Sequence, residues 1–146
     1  MTLRKLHKQH KEPIMNKKEL ITQTLEKMGY KPEIDEDGDI MIRYQMKSIF
    51  VFIGDEDDSY IAVLLPQFQA IADGEETLAL ATCNKLTREL KLAKVFVDQT
   101  FKSVSSSCEF FYANEEALEH SLEKSLRLLG VVRSQFKKVK TELSEG

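Results

Sequence analysis

Ile49-Phe50-Val51-Phe52-Ile53 and Ile61-Ala62-Val63-Leu64-Leu65 are two uninterrupted apolar runs inside an otherwise alternating pattern, and their reading decides the fold. A strand in an antiparallel sheet with one wet face alternates apolar and polar residues, so a continuous run implies that both faces are covered. Working outward, Asp37-Gly38 is a strong hairpin signal and Lys47-Ser48 offers a second tight connection, which places strands at Glu33–Asp35, Asp39–Met46, Ile49–Ile53 and Tyr60–Leu65.

Downstream, Asp73 reads as a helix N-cap with Glu76 at N3, leading through Leu78, Ala81, Cys83, Leu86 and Leu90. Strands follow near Lys94–Asp98 and Val104–Tyr112. From Asn114 a long helix carries Leu118, Leu122, Leu126, Leu129, Val132, Phe136, Val139 and Leu143 at threes and fours. Gly130 interrupts it at about 1 kcal/mol relative to Ala, which implies a bend or a close contact. Ahead of the strands, Asn16 and Glu19 mark the start of a helix through Leu20, Ile21, Leu25 and Met28, with Gly29 at its end. The expected class is α+β, order α-β-β-β(-β)-α-β-β-α, with a mainly antiparallel sheet and helices on one face.

A two-residue loop at Lys47-Ser48 places Met46, Tyr44 and Ile42 opposite Ile49, Val51 and Ile53 on the helix-covered face. The second face then holds Met41, Arg43 and Gln45 beside Phe50 and Phe52. Pairing Ile53 with Tyr60 adds Ile61, Val63 and Leu65 to it, although a slip of one residue inverts that assignment. Arg43, Phe50, Phe52, Ile61 and Val63 are thus the expected partner or dimer interface, with a cation–π contact from Arg43 to Phe52. The alternative is that the C-terminal helix or the tail covers this face.

The chain has 146 residues, of which 42% are hydrophobic and 31% charged, values of an ordinary globular protein and not of a disordered one. Residues 1–15 form a basic arm with Arg4, Lys5, Lys8 and Lys11, closed by Pro13, and 16–146 are expected to be one α+β domain. Met15 offers an alternative translation start. No apolar stretch reaches about 18 residues, so membrane spanning is not expected and the cytoplasm is the expected compartment. Cys83 and Cys108 have no motif spacing and read as small buried residues.

Acidic residues gather at two turns, Glu33, Asp35, Glu36, Asp37 and Asp39, and Asp55, Glu56, Asp57 and Asp58. Alternate turns of a meander share an end of the sheet, which suits weak Ca²⁺ binding or attraction of a basic partner, but charge runs of this kind are usually a solvated surface, and that is the expected reading. The first cluster nearly imitates a calcium loop, but Tyr44 stands where the bidentate Glu is needed, which rules out an EF-hand. His7 and His10 lack completing ligands, and His120 lacks a nucleophile beside it. Ser105–Ser107 have no elbow glycines. These absences imply no enzyme, cofactor or metal. The net charge of −3 disfavours nucleic acid, although the basic arm keeps a nucleic-acid-associated regulator as the alternative.

The stretch ALATCNKLTRELKLAKVFVD, Ala79 to Asp98, followed by SSSCEFFY, resembles the second helix and following strands of the YbjN family, whose fold is similar to that of type III secretion chaperones. The resemblance covers residues 17–140 and centres on Asn84. Where the YbjN helix often carries a second Asn, this chain has Thr87. The resemblance implies a non-enzymatic, homodimeric protein that binds or regulates another polypeptide, and transfers no catalytic residues.

Overall fold

The structure is a computed structural model that describes residues 15–146. Its elements run α1 (Lys17–Lys27), β1 (Glu33–Ile34), β2 (Ile40–Tyr44), β3 (Lys47–Phe52), β4 (Tyr60–Ala70), α2 (Glu76–Glu89), β5 (Ala93–Val97), β6 (Ser103–Phe111) and α3 (Glu115–Glu145). The strands form one open sheet in the order β1-β2-β3-β4-β6-β5, antiparallel throughout. The basic arm, with His7 and His10, lies outside the described residues apart from Met15.

Capping follows local chemistry. Asn16 accepts the Glu19 N–H at 2.8 Å, and Asn114 accepts that of Ala117 at 2.8 Å. The middle helix departs from expectation: it begins at Glu76 behind Glu75, with no side-chain cap, because Asp73-Gly74 is spent in a turn with Gly74 at φ +84°.

One face of the sheet carries the core. Ile40, Ile42, Ile49, Val51, Ile61, Val63, Leu65, Val104 and Cys108 project from it, and α3 lays Leu118, Leu122, Leu126, Leu129, Val132, Phe136 and Val139 against them. Each such burial stabilises the fold by about 1.5–3 kcal/mol. The C-terminal helix therefore packs on the core face and does not fold over the other one. Cys83 and Cys108 are free and buried, as their isolation in the sequence suggested. Burial pushes both thiols up to about 11.

Two registers differ from expectation. The β2–β3 loop is Gln45-Met46, both at positive φ (50° and 68°), and pairs Tyr44 with Lys47 and Ile42 with Ile49. This arrangement matches β-branched core residues across the hairpin and lays the Tyr44 ring on Gly130. Because the displacement is an even number of residues, the faces of β2 and β3 stay as expected. The β3–β4 register differs by an odd number: Val51 pairs with Val63 and Phe52 with Ala62. Ile61 and Val63 consequently lie in the core at 0% exposure, which corrects their expected place on the second face. This register puts the three larger aliphatic side chains Ile61, Val63 and Leu65 under the helices. The loop after β3 is fastened from far away in the sequence: the buried Lys17 ammonium bonds the carbonyls of Ile53 and Asp55 and, at 3.0 Å, the Asp58 carboxylate.

Candidate functional site

The second face of the sheet is built one strand at a time by the two-residue alternation of side chains. From β3 it receives Phe50 and Phe52, from β4 Tyr60, Ala62 and Leu64, from β6 Ser107, Glu109 and Phe111, and from β5 Lys94 and Phe96. The ladder aligns Met41, Phe50, Leu64, Ser107 and Lys94 in one row across five strands. No described residue from another element covers this row.

The face has relief. Ala62, Leu64 and Ser107 make a low floor on the two middle strands. Phe52 stands on one side and Phe96 and Lys94 on the other, enclosing a groove of about 330 Å³ that Glu109 also lines. The Phe50 and Phe52 rings stack with centroids 6.4 Å apart and planes 16° off parallel. Tyr60 meets Phe111 edge-on at 5.6 Å. Phe111 is 71% and Phe96 37% exposed, which is unusual for phenylalanine and concentrates apolar surface here.

Two charges on this face satisfy each other. Lys94 bridges to Glu109 at 2.8 Å across β5 and β6. That ammonium, with help from the Tyr60 hydroxyl, holds the Glu109 carboxyl below its ordinary range, while Glu109 raises Lys94. A carboxylate kept ionised and paired in this way is poorly suited to general-acid or general-base work. Ser107 and Ser105 are nearly buried between their larger neighbours, and the Ser105 hydroxyl accepts the Gln67 N–H at 2.8 Å.

Of the expected interface residues, Arg43, Phe50 and Phe52 lie on this face and Ile61 and Val63 do not. Arg43 does not stack on Phe52. It sits opposite Ser48 and donates to its hydroxyl at 2.8 Å, with the Met41–Phe50 pair between it and Phe52. Tyr60, Phe96 and Phe111 were not anticipated. Phe96 and Phe111 reach the face only once β5 and β6 dock beside β4, and no local periodicity announces that.

The acidic turns share one end of the sheet, as a meander requires. The Asp35, Asp37 and Asp39 carboxylates have oxygens within 4.8 Å of one another, and one Asp35 oxygen, Oδ1, accepts the N–H groups of Asp37 and Asp39 at 2.9 and 2.8 Å. These bonds make a local Asx-type turn that brings the three carboxylates together. At the other turn, Glu56 accepts the Lys17 N–H at 2.9 Å. His120 is exposed on α3. In the basic C-terminal part of α3, Phe136 and Val139 are buried and Lys140 pairs with Glu75 at 2.9 Å, the behaviour of an ordinary amphipathic helix.

Residues 16–138 match the profile of TY-Chap1, the T3SS (YopN, CesT) and YbjN peptide-binding chaperone 1 family. The chain belongs to this family. Among solved structures, the TY-Chap1 fold seen here is similar to YbjN from E. coli, with a TM-score of 0.59 at 9% identity over 84% of this chain and 90% of that one. A second similar structure is an uncharacterized protein from Methanothermobacter thermautotrophicus, with a TM-score of 0.48 and 13% identity over 86% and 96% of the two chains. No curated protein matches the sequence. Membership agrees with the α+β reading and with the YbjN resemblance, and among the described residues no helix is long and apolar enough to cross a membrane.

Proposed function

We propose that this chain is a non-enzymatic polypeptide-binding module, an adaptor or chaperone of the cytoplasm, that takes a segment of another protein onto the open sheet face. One observation carries the reading: five aromatic side chains, Phe50, Phe52, Tyr60, Phe96 and Phe111, share a single uncovered face on which Lys94 and Glu109 already pair with each other. Aromatic residues are enriched where partners bind, and membership of a peptide-binding chaperone family points the same way. Arg43, Phe50 and Phe52 are the proposed contact residues from the first hairpin, joined by Phe96 and Phe111.

Replacing Phe50 and Phe52 together with Ser should leave the circular dichroism spectrum unchanged and abolish capture of a partner polypeptide from lysate of the source organism. Undiminished capture by the double variant would remove these residues from the interface. Capture should also survive high salt, since apolar contacts are little screened. A steep loss with salt favours instead the nucleic-acid reading through the basic arm. The homodimer implied by the family resemblance belongs to the same proposal, and light scattering of both proteins tests whether the aromatic face is its seam.

A further inference from the structure

We infer that the segment taken up is an amphipathic α-helix lying along the trough between Phe52 and Phe96, and not a strand added to an edge of the sheet. This rests on the polypeptide-binding reading above and names the kind of segment bound.

The edges offer little to an incoming strand. On β5 both outward backbone groups of Val95 are taken by one side chain: the Thr87 hydroxyl accepts the Val95 N–H at 3.0 Å and donates to the Val95 carbonyl at 3.1 Å. The neighbouring Ala93 N–H turns back to the Lys91 carbonyl at 2.7 Å. At the other edge β1 is two residues long and runs into the Asp35 turn. Strand addition needs a row of free N–H and C=O groups, and on β5 that row is broken at its centre by Thr87, while β1 is too short to supply one.

The open face poses the opposite problem. Its backbone groups are consumed in the ladder, so an extended segment lying on it would lose water from its own amides and find no replacement, at about 1–3 kcal/mol for each buried unpaired group. A helix brings its hydrogen bonds with it. The size also fits. The walls stand on β3 and β5, three strand spacings apart, which is about 14 Å. A helix with its side chains is about 10–12 Å across.

The test uses two fluorescein-labelled 14-residue peptides of identical Leu and Lys content, titrated by anisotropy into the full chain. One places Leu at threes and fours, the other alternates Leu with Lys. The helical isomer should bind at least about tenfold tighter, a difference of about 1.4 kcal/mol. Its binding should fall in both Phe52→Ser and Phe96→Ser and be unchanged in Thr87→Val. The two phenylalanines stand on opposite walls, so misfolding of one variant, checked by circular dichroism, leaves the other informative. Equal or tighter binding of the alternating isomer, strengthened by Thr87→Val, would overturn the helix and leave polypeptide binding standing. Absence of phenylalanine-dependent binding by either peptide would overturn both.

Discussion

At the scale of single residues, Gly130 shows how a mild sequence anomaly acquires a cause. Its place in a leucine-patterned helix costs about 1 kcal/mol against Ala, yet a Cβ there would lie 2.8 Å from the Tyr44 ring and 3.2 Å from the Gln45 side-chain oxygen. Overpacking of this kind typically costs about 1–3 kcal/mol. Gly130→Ala should therefore destabilise the protein in urea melts by about 1 kcal/mol, and in a Tyr44→Leu background the same change should stabilise it. Stabilisation by Gly130→Ala alone would show that the ring yields. The close contact was legible as one of two options in the sequence; its partner was not, since Tyr44 lies 86 positions away by number. Thr87 is a comparable case. Its hydroxyl both donates to and accepts from the Val95 backbone, a pairing that helix periodicity does not announce.

Elements were the most legible level, because helix and strand periods differ and the turn residues punctuate them. The exceptions are informative. β4 runs five residues beyond its expected end at Leu65, through a bulge where Gln67 has φ +47°. A proline and two glutamines hide that extension. The β5–β6 hairpin is held by Asp98, whose carboxylate accepts from Thr100 N–H and hydroxyl, Lys102 N–H and the Ser103 hydroxyl. The bonds from the Ser103 and Thr100 hydroxyls lead in lowering its carboxyl from the ordinary 3.8 to about 2. A depressed carboxyl contributes stability above its unfolded value, and that contribution is lost as pH falls from about 4 through about 2. Asp98→Asn should accordingly melt below the wild type at pH 7 and approach it near pH 2. A melting difference that stays constant across this range would mean that the charge is not what holds the hairpin.

For the whole molecule, we propose that residues 16–146 fold as one cooperative domain without the basic arm. That fragment should melt in a single transition at the temperature of the full chain, and a second transition or a lower midpoint would give the arm a share in the fold. The sequence by itself determined the kinds of elements, their order, the antiparallel sheet and the faces of β2 and β3, because side-chain period and turn chemistry are local properties that survive an even slip in register. Only the tertiary structure decided which face of β4 is buried. Tyr60 to Leu65 is apolar on both sides, so its pattern carries no preference, and the side chains that bury Ile61, Val63 and Leu65 come from helices far away in the chain. The same holds for the aromatic face as a surface. Phe50, Phe52, Phe96 and Phe111 lie on three separate strands, and only sheet assembly in the order β3-β4-β6-β5 brings them together while all three helices pack on the other side.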